Sequence, residues 1–104
     1  MHIRWFCEDA EIVSSYKNCN DPLYNEDAVE FFISTPDSYP VKYFEFEVSP
    51  AGKLFIADIT NNNKNCSNLG TVYHPCSSAI YAGEITANGW NGYLKVGNLF
   101  CIQI

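Results

Sequence analysis

The sequence predicts an all-β domain, an antiparallel β-sandwich of jelly-roll-like form, and three observations carry the prediction. Apolar residues recur at every second position in several short segments, as a half-buried strand requires. Clusters of Pro, Gly, Asn, Asp and Ser separate these segments. No long stretch repeats at the 3.6-residue period of a helix. With 104 residues the chain makes one domain, residues 1–104, and 47% hydrophobic residues exclude a disordered chain.

The first strand is expected at residues 3–7, followed by a segment, 8–15, with room for one helical turn. From Ala28 to Ser34 the pattern alternates again. Val29, Phe31 and Ile33 share one face; Glu30, Phe32 and Ser34 share the other. The clearest unit is "VKYFEFEVSPAGKLFIADI", where Phe44, Phe46 and Val48 oppose Tyr43, Glu45 and Glu47. Pro50-Ala51-Gly52 supplies the tight turn, with Gly52 suited to positive φ, and residues 53–59 return as the second arm of a hairpin. Further strands are expected at 79–85, 93–96 and 99–104, with loops at 34–40, 60–70 and 86–92. The Asn-rich 60–70 segment reads as a solvated connection.

Charge narrows the partners. Six basic against 12 acidic residues give a net charge of −6, with no Lys/Arg stripe, so a nucleic-acid backbone would be repelled. No apolar run approaches the roughly 18 residues needed to span a bilayer, so no membrane partner is expected. The start, "MHIRWFCEDA", has neither a basic nor an apolar leader region, so no signal peptide is expected in this chain. Five cysteines nevertheless favour an oxidising compartment. A segment of a larger secreted protein, hence extracellular, reconciles the two. A Cys66–Cys76 disulfide and free thiols both remain open.

Several linked motifs then point to a family. A Cys-Glu-Asp, Cys7 to Asp9, follows the early strand. Asp21-Pro22-Leu23-Tyr24 leads through acids into a Val-Glu-x-Phe-Ile strand. A Tyr-x-Glu-Phe-Glu-Val strand turns through Ser-Pro-x-Gly, and Gly89-Trp90 comes much later. In this order the chain resembles the family 9 carbohydrate-binding modules and their DOMON-like relatives, well over residues 3–59 and loosely over 79–96. The resemblance implies a sandwich that binds sugars without catalysis, often as an accessory to glycan processing, with structural calcium in some members and no cofactor required. The family usually has a further strand before the segment matching Ile3, so a sandwich lacking its first strand is expected. The exposed edge left by that loss could pair with another copy or with a larger parent protein.

Sugar binding needs flat apolar faces for pyranose C–H surfaces and planar polar groups for hydroxyls. Trp90, flanked by Asn88 and Asn91, meets that need, and Trp5, Tyr24 and Tyr39 are further aromatics near strand ends or loops. The partner expected is an oligo- or polysaccharide. The bland alternative is that these aromatics fill core. Asp21, Glu26, Asp27 and Glu30 are hard oxygen donors of the kind calcium takes, although no EF-hand spacing is present. Their alternative role is to bond turns and stay solvated. Glu30, Glu45 and Glu47 could neighbour one another, but a domain this small leaves little room for a desolvated glycosidase cleft, so no enzyme is expected. His74-Pro75-Cys76 lacks the paired knuckles of structural zinc. Two readings stand behind the sugar-binding one: a structural or protein-interaction sandwich that has lost its sugar site, and a small glycosidase.

Overall fold

The computed structural model describes residues 1–34, 37, 41–65 and 69–97. Seven strands make two antiparallel sheets. β1 (His2–Glu8), β6 (Ala79–Thr86) and β7 (Gly89–Val96) form one in the order β1-β7-β6. β2 (Val29–Ile33), β3 (Lys42–Val48), β4 (Leu54–Thr60) and β5 (Gly70–Tyr73) form the other as a simple meander. No α-helix occurs among the described residues; two single 3-10 turns, Leu23–Asn25 and Cys76–Ser78, lie in connections. The all-β antiparallel sandwich expected from period-2 alternation is the observed architecture.

Alternation decides which side of each strand enters the core. Phe46 and Val48 of β3 and Leu54 and Ile56 of β4 face Leu94 and Val96 of β7 across the interior. Trp5, Phe31, Ile33, Phe44 and Tyr81 pack around them. The hairpin is in the expected register, with Val48 opposite Leu54 and Lys42 opposite Thr60. Gly52 takes φ +78° in its turn, a backbone conformation that a side chain would strain.

Residues 9–28, between β1 and β2, form an irregular strap across the outer face of the four-stranded sheet, without the helical turn expected near its start. Leu23 packs there on Phe55, Ala57 and Ile59, with Tyr16, Ala28 and Tyr43 around it, making a second apolar cluster on the far side of that sheet. The strap is pinned at Cys19 and Asn20. Cys19 is disulfide-bonded to Cys76, with Cα atoms 6.0 Å apart. The amide oxygen of Asn20 accepts from the Ile56 N–H and its amide nitrogen donates to the His74 carbonyl, both at 2.8 Å. Its own backbone N–H donates to the Leu54 carbonyl at 2.9 Å. Asn20 thus continues the sheet where β5 has ended, at φ 63°, which asparagine tolerates better than most residues.

Three expectations are corrected. Cys76 pairs with Cys19, not with Cys66, which lies outside the described residues. Segment 86–92 is not a loop: Ala87-Asn88 is a two-residue turn and β7 begins at Gly89. Its glycines mark close approach instead. A Cβ on Gly89 would meet the Cys7 carbonyl oxygen at 1.8 Å, and one on Gly92 would meet the Trp5 indole at 2.0 Å. Finally, β5 was not expected at all. The expected strand at 99–104 lies outside the described residues.

Candidate functional site

The outer face of the three-stranded sheet presents aromatic and polar side chains side by side. Outward positions alternate down β1 as His2, Arg4, Phe6 and Glu8, and the register sets each beside a partner on β7 or β6. Arg4 lies opposite Tyr93, Phe6 opposite Asn91, and Glu84 of β6 opposite Asn91 on its other side. The Arg4 guanidinium sits 5.1 Å from the centre of the Tyr93 ring, a cation–π contact, and His2 meets the same ring edge-on at 4.9 Å. Arg4, Trp5, Ala82, Glu84, Asn91 and Tyr93 line a depression of about 290 Å³. A second hollow of about 630 Å³ lies at the end of the sheet, between Phe6, Glu8 and Asp9 on one side and Ala87 and Asn88 on the other. Phe6, 53% exposed, lines this second hollow and lies opposite Asn91 in the strand register. The face therefore combines ring surface with a guanidinium, an amide and a carboxylate, the donor and acceptor types that bind hydroxyl-rich ligands.

The expected sugar contacts distribute unevenly over this frame. Asn91 lies on the outer face, and Asn88 lies in the turn beside the second hollow. Trp5 is half-buried, contributing to the depression while its ring packs on Phe31 at 5.3 Å and on Trp90 at 5.8 Å. Its indole N–H is buried with no acceptor. Trp90 is a correction: it is 2% exposed, its side chain on the inward side of β7, and it packs the core instead of presenting a ring to solvent. Tyr24 is exposed on the strap, edge-on to Phe55 at 6.0 Å, on the opposite side of the molecule from the depression. Tyr39 lies outside the described residues. Arg4, Phe6, Glu84 and Tyr93 were missed by sequence reading. The signal that could have found them was the alternation of 2–8 once register with 89–95 was known.

The acids named as calcium donors are engaged elsewhere. Asp21 accepts from the backbone N–H groups of Lys17 and Asn18 at 3.3 and 2.9 Å. Glu26 accepts from the Ser15 hydroxyl and amide at 2.5 and 2.7 Å, which holds its carboxyl below the usual carboxylate range. Asp27 accepts from the Val13 amide at 2.8 Å. These three acids tie the strap to itself, a use of Asp and Glu that resembles side-chain capping. Glu30 sits apart, on the outer face of β2, directly opposite Glu47 of β3. Among the described residues no three His, Cys, Asp or Glu side chains converge on a point a metal ion could occupy.

The Nε2 atom of His74 lies 2.8 Å from a carboxylate oxygen of Asp58, part-exposed, beside Phe44. The thiol of Cys7, free of any disulfide, is pushed up by burial and by the charge of Asp9, which disfavours the reactive thiolate.

No family model matches the chain, and no solved structure matches it. Over 68 residues, 65% of its length, the chain is 35% identical to a protein of Arthroderma benhamiae described as "Extracellular protein". The match covers 31% of that protein, so the chain spans about a third of its relative's length. No helix among the described residues is long and apolar enough to cross a membrane.

Proposed function

We propose that the chain is a non-catalytic carbohydrate-binding sandwich within a larger extracellular protein, with its sugar contacts on the outer face of the three-stranded sheet. The observation that carries this reading is the depression beside Arg4, Glu84, Asn91 and Tyr93, with Phe6 next to it, where aromatic surface and hydroxyl-binding groups meet. Stacking on the Phe6 ring would supply apolar contact, and Asn91, Glu84 and Arg4 would orient the hydroxyls. The family resemblance of residues 3–59 supports the ligand class. The likeness to an extracellular protein and the Cys19–Cys76 disulfide, which persists in oxidising compartments, support the location.

Titration of isotope-labelled protein with a panel of soluble oligosaccharides tests the reading. The expected result is shifts at the amides of Arg4, Phe6, Asn91 and Tyr93, and at least a tenfold loss of affinity in Phe6→Ala or Asn91→Ala. Folded protein that binds nothing across a broad glycan array overturns it. The burial of Trp90 favours a second reading, a structural or interaction sandwich without a sugar site. The blank array would be its expected result.

A further inference from the structure

Three carboxylates neighbour one another on the outer face of the four-stranded sheet: Glu47 is buried, Glu45 half-buried and Glu30 exposed. Glu30 of β2 is the direct cross-strand partner of Glu47, and Glu45 lies two residues from Glu47 on the same face of β3. Like charges directly opposite each other in a sheet repel. Glu47 is nonetheless fully buried, and neither of its carboxylate oxygens has a hydrogen-bond donor. The charged groups that act on it are Glu45 and Glu30, and its other neighbours follow from the strand register. Glu30 and Phe32 come from β2 and Glu45 from its own strand, with Tyr43 beyond. Phe55 lies opposite on β4 with Ala57 beside it. From the strap, Leu23 packs on Phe55, and Tyr24 meets the same ring. None of these is a cation.

An isolated carboxylate in such a place costs far more than it could regain, so the group is held neutral instead. A bound metal would be one way to neutralise the cluster, but no three of these side chains converge as ligands. A proton on Glu47, shared with the carboxylates beside it, needs no further atoms. It converts an orphan acceptor into a donor and turns repulsion into a carboxyl–carboxylate hydrogen bond.

We propose that Glu47, with Glu30 and Glu45, is a proton-held latch for the strap: the protonated cluster lets residues 9–28 lie closed on the sheet, and loss of the proton as pH rises releases them. This does not rest on the sugar-binding reading. Burial first, then the neighbouring carboxyls of Glu45 and Glu30, push Glu47 up to about 10 from the ordinary 4.5. Glu30 is also raised, by burial and then by the charge of Glu45. The closed form therefore binds a proton that the open form gives up between those values. The latch is fully engaged below the open-state value, and it weakens steadily as pH climbs toward the closed-state one.

Amide exchange, corrected for its intrinsic pH dependence and followed from pH 5 to 9, tests this on the whole chain. Protection at Val13, Ser15, Asn20 and Ile56 is expected to fall by up to about tenfold per pH unit, while β6 and β7 amides hold constant. Glu47→Gln, which cannot ionise, is expected to flatten that slope. Should that variant fail to fold, carboxyl-carbon NMR of the unmodified protein decides: one glutamate is expected to titrate above pH 7. All glutamates titrating below pH 6, or strap protection independent of pH, overturns the latch. So does a Glu47→Gln slope as steep as the parent's. Millimolar calcium raising strap protection at pH 8 also overturns it, in favour of a cation at the cluster.

Discussion

The two sheets share one core and alternate by the same rule, yet their outer faces are opposites. The face built from His2, Arg4, Phe6, Asn91 and Tyr93 is open to solvent. The face built from Tyr43, Glu47, Phe55, Ala57 and Ile59 is roofed by the strap. An outward position in a strand is therefore not the same as a solvated one. What decides is whether a neighbouring segment can be fixed over it, and here one disulfide and one asparagine do the fixing. The open face presents aromatic and polar side chains to solvent, while the roofed face buries a carboxyl group with no donor.

Severing the roof is the strongest way to break this contrast. Replacing Cys19 and Cys76 together by Ala should cost about 2–5 kcal/mol in chemical unfolding, the usual range for a lost native disulfide. Protease cuts should then appear in 9–28 before they appear in β6 or β7. Unchanged stability would mean that the strap holds without its anchor. Asn20→Ala should follow, at about 2–4 kcal/mol, because it strands the Ile56 N–H and the His74 carbonyl together. Leu23→Ala should cost about 2–4 kcal/mol by emptying the cluster over Phe55. It should leave any ligand binding at the other face intact, and loss of both would show the faces to be coupled. The smallest effect belongs to the open side. Phe6→Ala should shift stability by no more than about 0.5 kcal/mol, as for most exposed positions. A larger loss in thermal unfolding would mean that the open face is structural after all.

Most of the sandwich was legible because strand alternation is a local signal. Phe44-Phe46-Val48 against Tyr43-Glu45-Glu47, closed by Pro50-Ala51-Gly52, specifies a hairpin with no help from the rest of the chain. The strap was not legible. Its apolar contacts, Tyr16, Leu23 and Ala28, have no period, and what they cover lies more than 25 residues away in sequence for Leu23 and Phe55. For the same reason nothing in the local pattern marked Glu47 as a buried position. Gly89 and Gly92 misled in the other direction. Turn chemistry and close packing both select glycine, and only the neighbouring Cys7 backbone and Trp5 ring distinguish them. Of the residues named from the sequence, Asn91 lies on the open face and Asn88 in the turn beside it. Trp90 was not legible in this way, because a tryptophan flanked by asparagines looks the same whether its strand turns it inward or outward.

The Cys19–Cys76 bond also divides the molecule mechanically. All four strands β2 to β5 lie between its two cysteines, whereas β1, β6 and β7 lie wholly or almost wholly outside that covalent ring. A pull applied along the chain would peel the three-stranded sheet but could not extend the 57-residue separation within the ring. At about 3.4 Å per extended residue, on the order of 190 Å of chain stays out of reach until the bond is reduced. Single-molecule stretching should show that length appear only after a reductant is added. Under tension, the four-stranded sheet would then outlast a force that unravels its neighbour.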